Sequence, residues 1–575
     1  MNFQKALLLH QKGDLENARK YYILDLESGS NRYEAIFNLG MIDLQKNNFS
    51  SAALFFNKAI SLKSNDIASY ANAGLCYQQI GDWKRAENFF TNAYNLDPVN
   101  IKIINHLAAI LSKQGKANNA IALLDKALLV DPFNFEVLIN AGMALTDVGQ
   151  HIQALTYFEK AAQAFPKHEV ALAHLASALL EVGRYEDSLI QCNLAIKIDP
   201  KCSLGYLTKA LTQHKLQNFD QALENYQYAL QLDPGSQVAQ LNIATITISK
   251  VKDENDFVNA LKEADKSHKM TSFEKSKSIS RKVAEVPFFR LKHDVQQAYF
   301  LESQGSSSTP LLQFLDVIPS ILEGNKSEQG QKLINLTGDA LKVFRDYQND
   351  SFIYQMPILN TMLNSELDWR NIEEKYLFSE PELIFIDNFL NNEALKAFQN
   401  FSLYSKVWNK EYKGCYLGAF ANQGFISPLH LKLALELKSA MPMVFKDYPI
   451  GQLWGFKYDA QLGSGINVHA DFAKINLNFW ITPSESNLDA NSGGLRIYTV
   501  PAPITWKFHD YNRDSELIYE FLTQKKSSSV TIPYKGNRAV LFNSALFHET
   551  DVIKFKEGYE NRRVNMTYLF GNQLA

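Results

Sequence analysis

Residues 67–98 read IASYANAGLCYQQIGDWKRAENFFTNAYNLDP. Small residues stand at Gly74 and Ala86, large apolar ones at Tyr70, Phe89 and Phe90, and the stretch ends on Pro98. Moving by 34 residues in either direction finds the same pattern again. Proline recurs at Pro98, Pro132, Pro166, Pro200 and Pro234. Alanine recurs at Ala59, Ala93, Ala127, Ala161, Ala195 and Ala229. A small column runs Gly40, Gly74, Ala108, Gly142, Ala176, Ala210, and another runs Ala52, Ala86, Ala120, Ala154, Ser188, Ala222. Each column has a physical cause. A small residue lets the two helices of a hairpin approach, large apolar residues fill the groove between them, and proline ends the second helix.

In period and in residue pattern these units resemble the tetratricopeptide repeat. They begin at Tyr33, Ile67, Ile101, Phe135, Glu169 and Ser203. A degenerate unit precedes them, in which Ala18 keeps one column and Asp25 breaks another, and a helix at 237–250 follows. Degenerate ends suit the caps of a solenoid. The resemblance implies an all-α solenoid over 1–250 whose concave groove binds a peptide or another protein. The sixth position of each unit, which faces the groove in such repeats, holds Asn38, Asn72, His106, Asn140, His174 and Thr208, with Asn242 in the cap. Side-chain amides at Asn38, Asn72, Asn140 and Asn242 would hydrogen-bond a peptide backbone whatever its sequence. Asparagine is also simply common at this position.

The 575 residues carry 58 Lys and Arg against 61 Asp and Glu, a net charge of −3. That balance argues against a nucleic-acid partner and against an anionic membrane surface. Hydrophobic residues at 46% and charged residues at 21% are globular values. No apolar run approaches the ~18 residues of a membrane helix, and MNFQKALLLHQKGD lacks the pattern of a signal peptide. Cys76, Cys192, Cys202 and Cys415 are scattered and form no CxxC, which points to a reducing cytoplasm.

Residues 251–379 are expected to form a helical connector. Its lysine-rich start, 251–282, reads as a solvated helix or linker, and helical periodicity resumes at 283–300 and 311–347. From 380 to 575 the pattern turns strand-like. Strands are predicted at 383–390, 452–458, 466–472, 475–482, 494–500, 529–532, 538–542, 549–554 and 563–570, with helices at 392–403 and 428–440. Many short strands separated by Gly, Pro and Asn suggest a sandwich or barrel.

The chemistry sits on three of these strands. In GINVHADF, His469 and Asp471 are two apart and share one face of a strand. His548 follows Asp471 by 77 residues. Two histidines and one carboxylate can hold one face of an Fe(II) ion and leave three positions open. In ENRRVNMTYLFG, Val564, Met566, Tyr568 and Phe570 alternate with Arg563, Asn565 and Thr567. The first set should pack on helices and the second should line a lumen. An inward guanidinium is a forked receptor for a carboxylate. A bulge would exchange Arg562 for Arg563, and His509 is an alternative third ligand.

Together, the HxD pair, the glycine turn at Gly493-Gly494, the distal histidine and the following arginine resemble the Fe(II)/2-oxoglutarate dioxygenases of the prolyl 4-hydroxylase and phytanoyl-CoA hydroxylase branches. The likeness spans about 381–575 and implies a double-stranded β-helix, or jelly roll. It implies that His469, Asp471 and His548 bind iron. Arg563 would grip the far carboxylate of 2-oxoglutarate with help from Tyr458, Asn565 or Thr567, while Asn476 and Asn478 point into the lumen near it. The reaction would consume 2-oxoglutarate and O₂ and hydroxylate a substrate. Asp471 favours hydroxylation over halogenation, because related halogenases leave that position to chloride. Prolyl 4-hydroxylases usually carry Lys where Arg563 stands, which weakens a claim of prolyl hydroxylation. The substrate expected first is a peptide or protein side chain recruited by the groove. A small-molecule substrate is one alternative, and an inactive peptide-binding scaffold is another.

Overall fold

The computed structural model describes residues 2–30, 32–277, 283–325, 330–350, 352–462 and 465–571. The end of the lysine-rich stretch, 278–282, lies outside the described residues. The chain divides into two compact units, Met1–Pro234 and Gly235–Ala575.

The first unit is a run of helical hairpins. Helices start at Tyr33, Ile67, Ile101, Phe135, Glu169 and Ser203, the six unit starts read from the sequence. Each is followed by a partner helix, for example Trp83–Leu96 after Ile67–Ile80. The small column now has a measurable reason. A Cβ on Gly40, Gly74 or Gly142 would lie 2.8, 2.7 or 2.5 Å from the ring of Phe56, Phe90 or Phe158. The phenylalanine sixteen residues on fills the space that the missing side chain leaves.

The second unit is α and β. The sequence suggested divisions at 250 and 379, but one apolar core joins these stretches. Ile248, Val251, Phe257, Ala260 and Ala264 are buried with Met362, Phe398, Phe401, Leu433 and Phe570. The helix Gln237–Ser249, read as a cap of the repeats, belongs here, where Asn422 Nδ2 donates to Thr245 Oγ1 at 2.9 Å. The connector is not purely helical either. Strands β1 (Val283–Pro287) and β2 (Leu333–Thr337) pair antiparallel between the helices Phe288–Ser303, Thr309–Glu323 and Gly338–Asn349. Five-residue strands paired across nearly fifty residues leave little local signal.

The remaining strands are β3 (Leu383–Ile386), β4 (Lys410–Tyr412), β5 (Tyr416–Phe420), β6 (Ile450–Tyr458), β7 (Gln461–Leu462), β8 (Ile475–Trp480), β9 (Leu495–Pro501), β10 (Ser529–Ile532), β11 (Ala539–Asn543), β12 (Leu546–Thr550), β13 (Ile553–Lys554) and β14 (Val564–Phe570). Among the described residues they form antiparallel sheets in the orders β3-β11-β8-β14-β6-β5-β4, β10-β9-β12 and β13-β7. On β8 and β14, Leu477, Phe479, Val564, Met566 and Tyr568 pack with the helices of the main core. The opposite face carries Trp480, Phe456 and Tyr458 into a second core with Leu495, Ile497, Val540, Phe542 and Leu546. Period-two alternation assigns each side chain its face.

Two predicted strands differ. Residues 466–472 form no strand, and only His469 makes a bridge, to His548. Ala470 is the cause: its N–H donates to Tyr511 O at 2.8 Å and its carbonyl accepts from Asn512 Nδ2 at 2.9 Å, so a helical segment takes the ladder bonds. The strand expected at 549–554 starts earlier, as β12, and breaks before β13.

Candidate metal centre

His469 and His548 exchange backbone hydrogen bonds, N to O at 3.0 and 2.8 Å, and this bridge sets their imidazoles side by side. The ring centroids are 4.3 Å apart. Each ring is turned the same way. His469 Nδ1 lies 2.8 Å from Asn467 O and His548 Nδ1 lies 3.0 Å from Leu546 O. A carbonyl accepts only, so Nδ1 carries the proton and Nε2 presents a lone pair. Both Nε2 atoms face Asp471, at 3.8 Å from Oδ1 and 3.5 Å from Oδ2. One ligand atom from each residue lies within 4.8 Å of the others, the only such group of three among the described residues.

The protonation states suit a metal. The His469 side chain is 15% exposed. Burial, then the neighbouring His548, nonetheless push its imidazole down to about 4. Burial alone would raise the Asp471 carboxyl, but His548, His469 and the Asn476 amide outweigh it and hold the group below its ordinary value. Two imidazole nitrogens and a carboxylate converging on one point are a fitting donor set for a divalent ion. His509 is placed elsewhere: its side chain is 69% exposed, in a short helix beside Asp510.

Asp471 is tied to the sheet by amides. Asn476 Nδ2 donates to Asp471 Oδ2 at 2.7 Å, and Asn478 Nδ2 donates to Asn476 Oδ1. Asn478 Oδ1 accepts from Thr567 Oγ1 at 2.8 Å and from Asn565 Nδ2 at 2.7 Å. The structure thus brings Asn476, Asn478, Asn565 and Thr567 together with Asp471.

Arg563 is fully buried immediately before β14, two residues ahead of Asn565 and four ahead of Thr567, and its carbonyl accepts from Tyr458 N at 3.0 Å. Its Nε donates to Gly493 O at 2.6 Å and one terminal nitrogen to Gly494 O at 3.3 Å. Its guanidinium lies over the rings of Tyr458, Trp480 and Tyr534, at 4.8, 5.7 and 5.9 Å. The glycine turn is built for this. Gly493 has φ +81°, and a Cβ on Gly494 would lie 1.8 Å from Ile532 O. The other terminal nitrogen, Nη1, is buried without a hydrogen-bond partner among the described residues. Burial pulls the guanidinium down from its ordinary value. A buried cation with one unused donor is suited to receive a carboxylate. Arg562 turns to the other side, where it meets Gln296 at 2.8 Å and Asp459 at 3.4 Å.

Sequence reasoning passed over two contributors. Asn512 and Tyr511 pin the residue between the two ligands, yet WKFHDYNRD reads as a polar loop. The carbonyls of Gly493 and Gly494 hold the arginine, while the sequence shows only a turn.

The groove asparagines of the array are engaged by the preceding repeat. Asn38 Nδ2 donates to Tyr22 Oη at 3.1 Å, Asn72 Nδ2 to Met41 Sδ at 3.5 Å, and Asn140 Nδ2 to Asn105 Oδ1 at 3.0 Å. Asn242, in the second unit, donates to Val238 O at 2.8 Å. His106 and His174 stack on Phe90 and Phe158, with centroids at 5.1 and 5.4 Å. No helix among the described residues is long and apolar enough to cross a membrane.

Models of the tetratricopeptide repeat match residues 1–24, 33–66, 69–98, 107–169, 145–211 and 205–236. No curated protein matches the chain. Among solved structures, a tetratricopeptide repeat protein of Parabacteroides merdae is 15% identical over 42% of this chain and 96% of its own, with a TM-score of 0.37. YrrB, described as a TPR protein with an unusual peptide-binding site, is 22% identical over 32% of this chain and 95% of its own, at 0.27. Yeast Tom70 is 20% identical over 44% of this chain and 55% of its own, at 0.35. The N-terminal unit of this chain is an array of tetratricopeptide repeats.

Proposed function

We propose that the second unit is an Fe(II)- and 2-oxoglutarate-dependent hydroxylase and that the repeat array recruits its peptide or protein substrate. The observation that carries this reading is the unused Nη1 of buried Arg563, beside a sheet face linked by hydrogen bonds to the His469, Asp471, His548 cluster. An ion-binding triad alone fits many proteins. A triad joined through such a hydrogen-bonded face to a buried guanidinium with an unused donor fits a metal chelated by a small dicarboxylate. The antiparallel strand orders β11-β8-β14-β6 and β10-β9-β12, with the His469 bridge beside the smaller sheet, support the reading as a double-stranded β-helix.

Iron and 2-oxoglutarate would supply the activation of O₂ and leave succinate and CO₂. The chain's own residues bind and orient. The Nε2 atoms of His469 and His548 and the Asp471 carboxylate would hold the ion. Arg563 would pair with the far carboxylate of 2-oxoglutarate, and the rings of Tyr458, Trp480 and Tyr534 would keep water from that pair. In the array, repeats of this kind serve as protein-binding surfaces, and amides at Asn38, Asn72 and Asn140 would exchange their internal partners for a peptide backbone.

The test is an anaerobic titration of the full chain with Fe(II) and then 2-oxoglutarate, following the weak visible band of the chelate. The expected result is a band lost in His469→Ala and weakened in Arg563→Ala. Wild-type protein that binds no Fe(II) and shows no band would overturn the reading.

A further inference from the structure

Asn476, Asn478 and Asn565 are buried amides, and an amide's oxygen and nitrogen are alike in shape. Their order must be fixed by chemistry. An ionised Asp471 has no hydrogen to give, so Asn476 presents its NH₂ to Oδ2. Its oxygen then faces Asn478, which must present NH₂ in turn. That leaves Asn478 Oδ1 to accept from both Thr567 Oγ1 and Asn565 Nδ2. The second Asn565 hydrogen reaches Thr567 Oγ1 at 3.0 Å. Reversing a single amide would set two acceptors or two donors face to face in a dry lumen. At the far end Asn565 Oδ1 is buried without a partner among the described residues.

We infer that Asn476, Asn478, Asn565 and Thr567 form a polarised hydrogen-bond chain, donating at every link toward Asp471, that positions this carboxylate for the metal. The inference rests on reading the triad as a metal centre. The chain fixes the rotation of the Asp471 carboxylate against two histidine nitrogens, a role that outer partners of metal ligands commonly take. It also changes what Asn565 does. With both Nδ2 hydrogens committed, it has none for the cosubstrate carboxylate and acts on Asp471 instead.

The experiment is an anaerobic Co(II) titration of the full chain, reading affinity and the ligand-field bands. Asn476→Leu is expected to weaken binding about 10- to 100-fold and to shift the bands. Asn478→Leu should weaken it less, and Thr567→Val about threefold. Asn565→Leu should weaken Co(II) binding while leaving 2-oxoglutarate affinity of the metal-loaded protein within about twofold of wild type. Thermal melts identify a variant that fails to fold, and Thr567→Val, equal in shape to the native residue, keeps the test open in that case. Equal affinity and unchanged bands in folded Asn478→Leu and Thr567→Val would reduce the chain to packing and overturn the inference. Wild-type protein that takes up no Co(II) would remove the metal centre itself, and the chain's role with it.

Discussion

The two faces of the seven-stranded sheet both bury cations beside tyrosines, and they treat them differently. On the helix face, Arg290 gives its nitrogens to Asp294 at 2.7 Å, Trp408 O at 2.6 Å and Gln348 Oε1 at 2.8 Å. Lys457 donates to Ser402 O at 3.0 Å and Tyr559 Oη at 2.8 Å and sits over the Tyr559 ring. Arg290 thus ties its helix to Trp408 and Gln348, and Lys457 ties β6 to Ser402 and Tyr559. On the lumen face, Arg563 meets two carbonyls and three rings and keeps one nitrogen unused. A buried charge whose donors are all met is architecture. A buried guanidinium with one nitrogen unmet costs stability, and the carboxylate of the proposed cosubstrate would complete its bonding.

Four outcomes would sharpen or break this contrast. The largest is Arg290→Met. It strands the Asp294 carboxylate in the core and should cost ~3–5 kcal/mol in denaturant unfolding. Tryptophan fluorescence would follow the transition, since five of the six tryptophans lie in the second unit. Next is Arg563→Met. It should lower 2-oxoglutarate affinity about 100-fold, ~2.7 kcal/mol, with the unfolding midpoint unchanged or raised. If it unfolded the protein as Arg290→Met does, Arg563 would belong with the architecture and the contrast would fail.

The third outcome concerns pH. Burial among Phe398, Phe401 and Phe425 pushes His430 down to about 3. The unfolded chain therefore binds a proton that the folded chain refuses between pH ~6.5 and ~3, and stability falls as pH drops through that window. His430→Leu should flatten this dependence by about 1.4 kcal/mol per pH unit, read from melts at pH 5 and 7. The smallest is Lys457→Met. Burial, then Arg562, hold this ammonium well below its ordinary value. Its cost to stability fades as pH rises toward the unfolded lysine's ~10.4. The variant should lose that alkaline gain and change neutral stability by ~1 kcal/mol or less. A large neutral loss would mean that its two bonds outweigh its desolvation.

Legibility followed the range of the cause. Gly74 and Phe90 are sixteen residues apart and repeat every 34, so the array could be read without coordinates. Asn565 and Thr567 share a face because a strand alternates, and that too was readable. The pairing of β1 with β2 was not, nor was the clamp of Asn512 on Ala470, because each joins distant segments through backbone groups that every residue owns. Asn565 is the instructive case. Its face was legible, but the direction of its amide was not, because that depends on a chain of neighbours ending at Asp471.

By itself, then, the sequence determined the helical array, the strand-rich C-terminal region and the residue types of the candidate centre. Periodicity and alternation are local rules that each segment obeys alone. The tertiary structure alone decided that the connector shares the C-terminal core, that His469 and His548 turn their Nε2 atoms toward one carboxylate, and that Arg562 finds the carboxylate of Asp459 while Arg563 meets carbonyls and rings. Those are matters of which buried polar group finds a partner, and only the packed chain brings the candidates within hydrogen-bond reach.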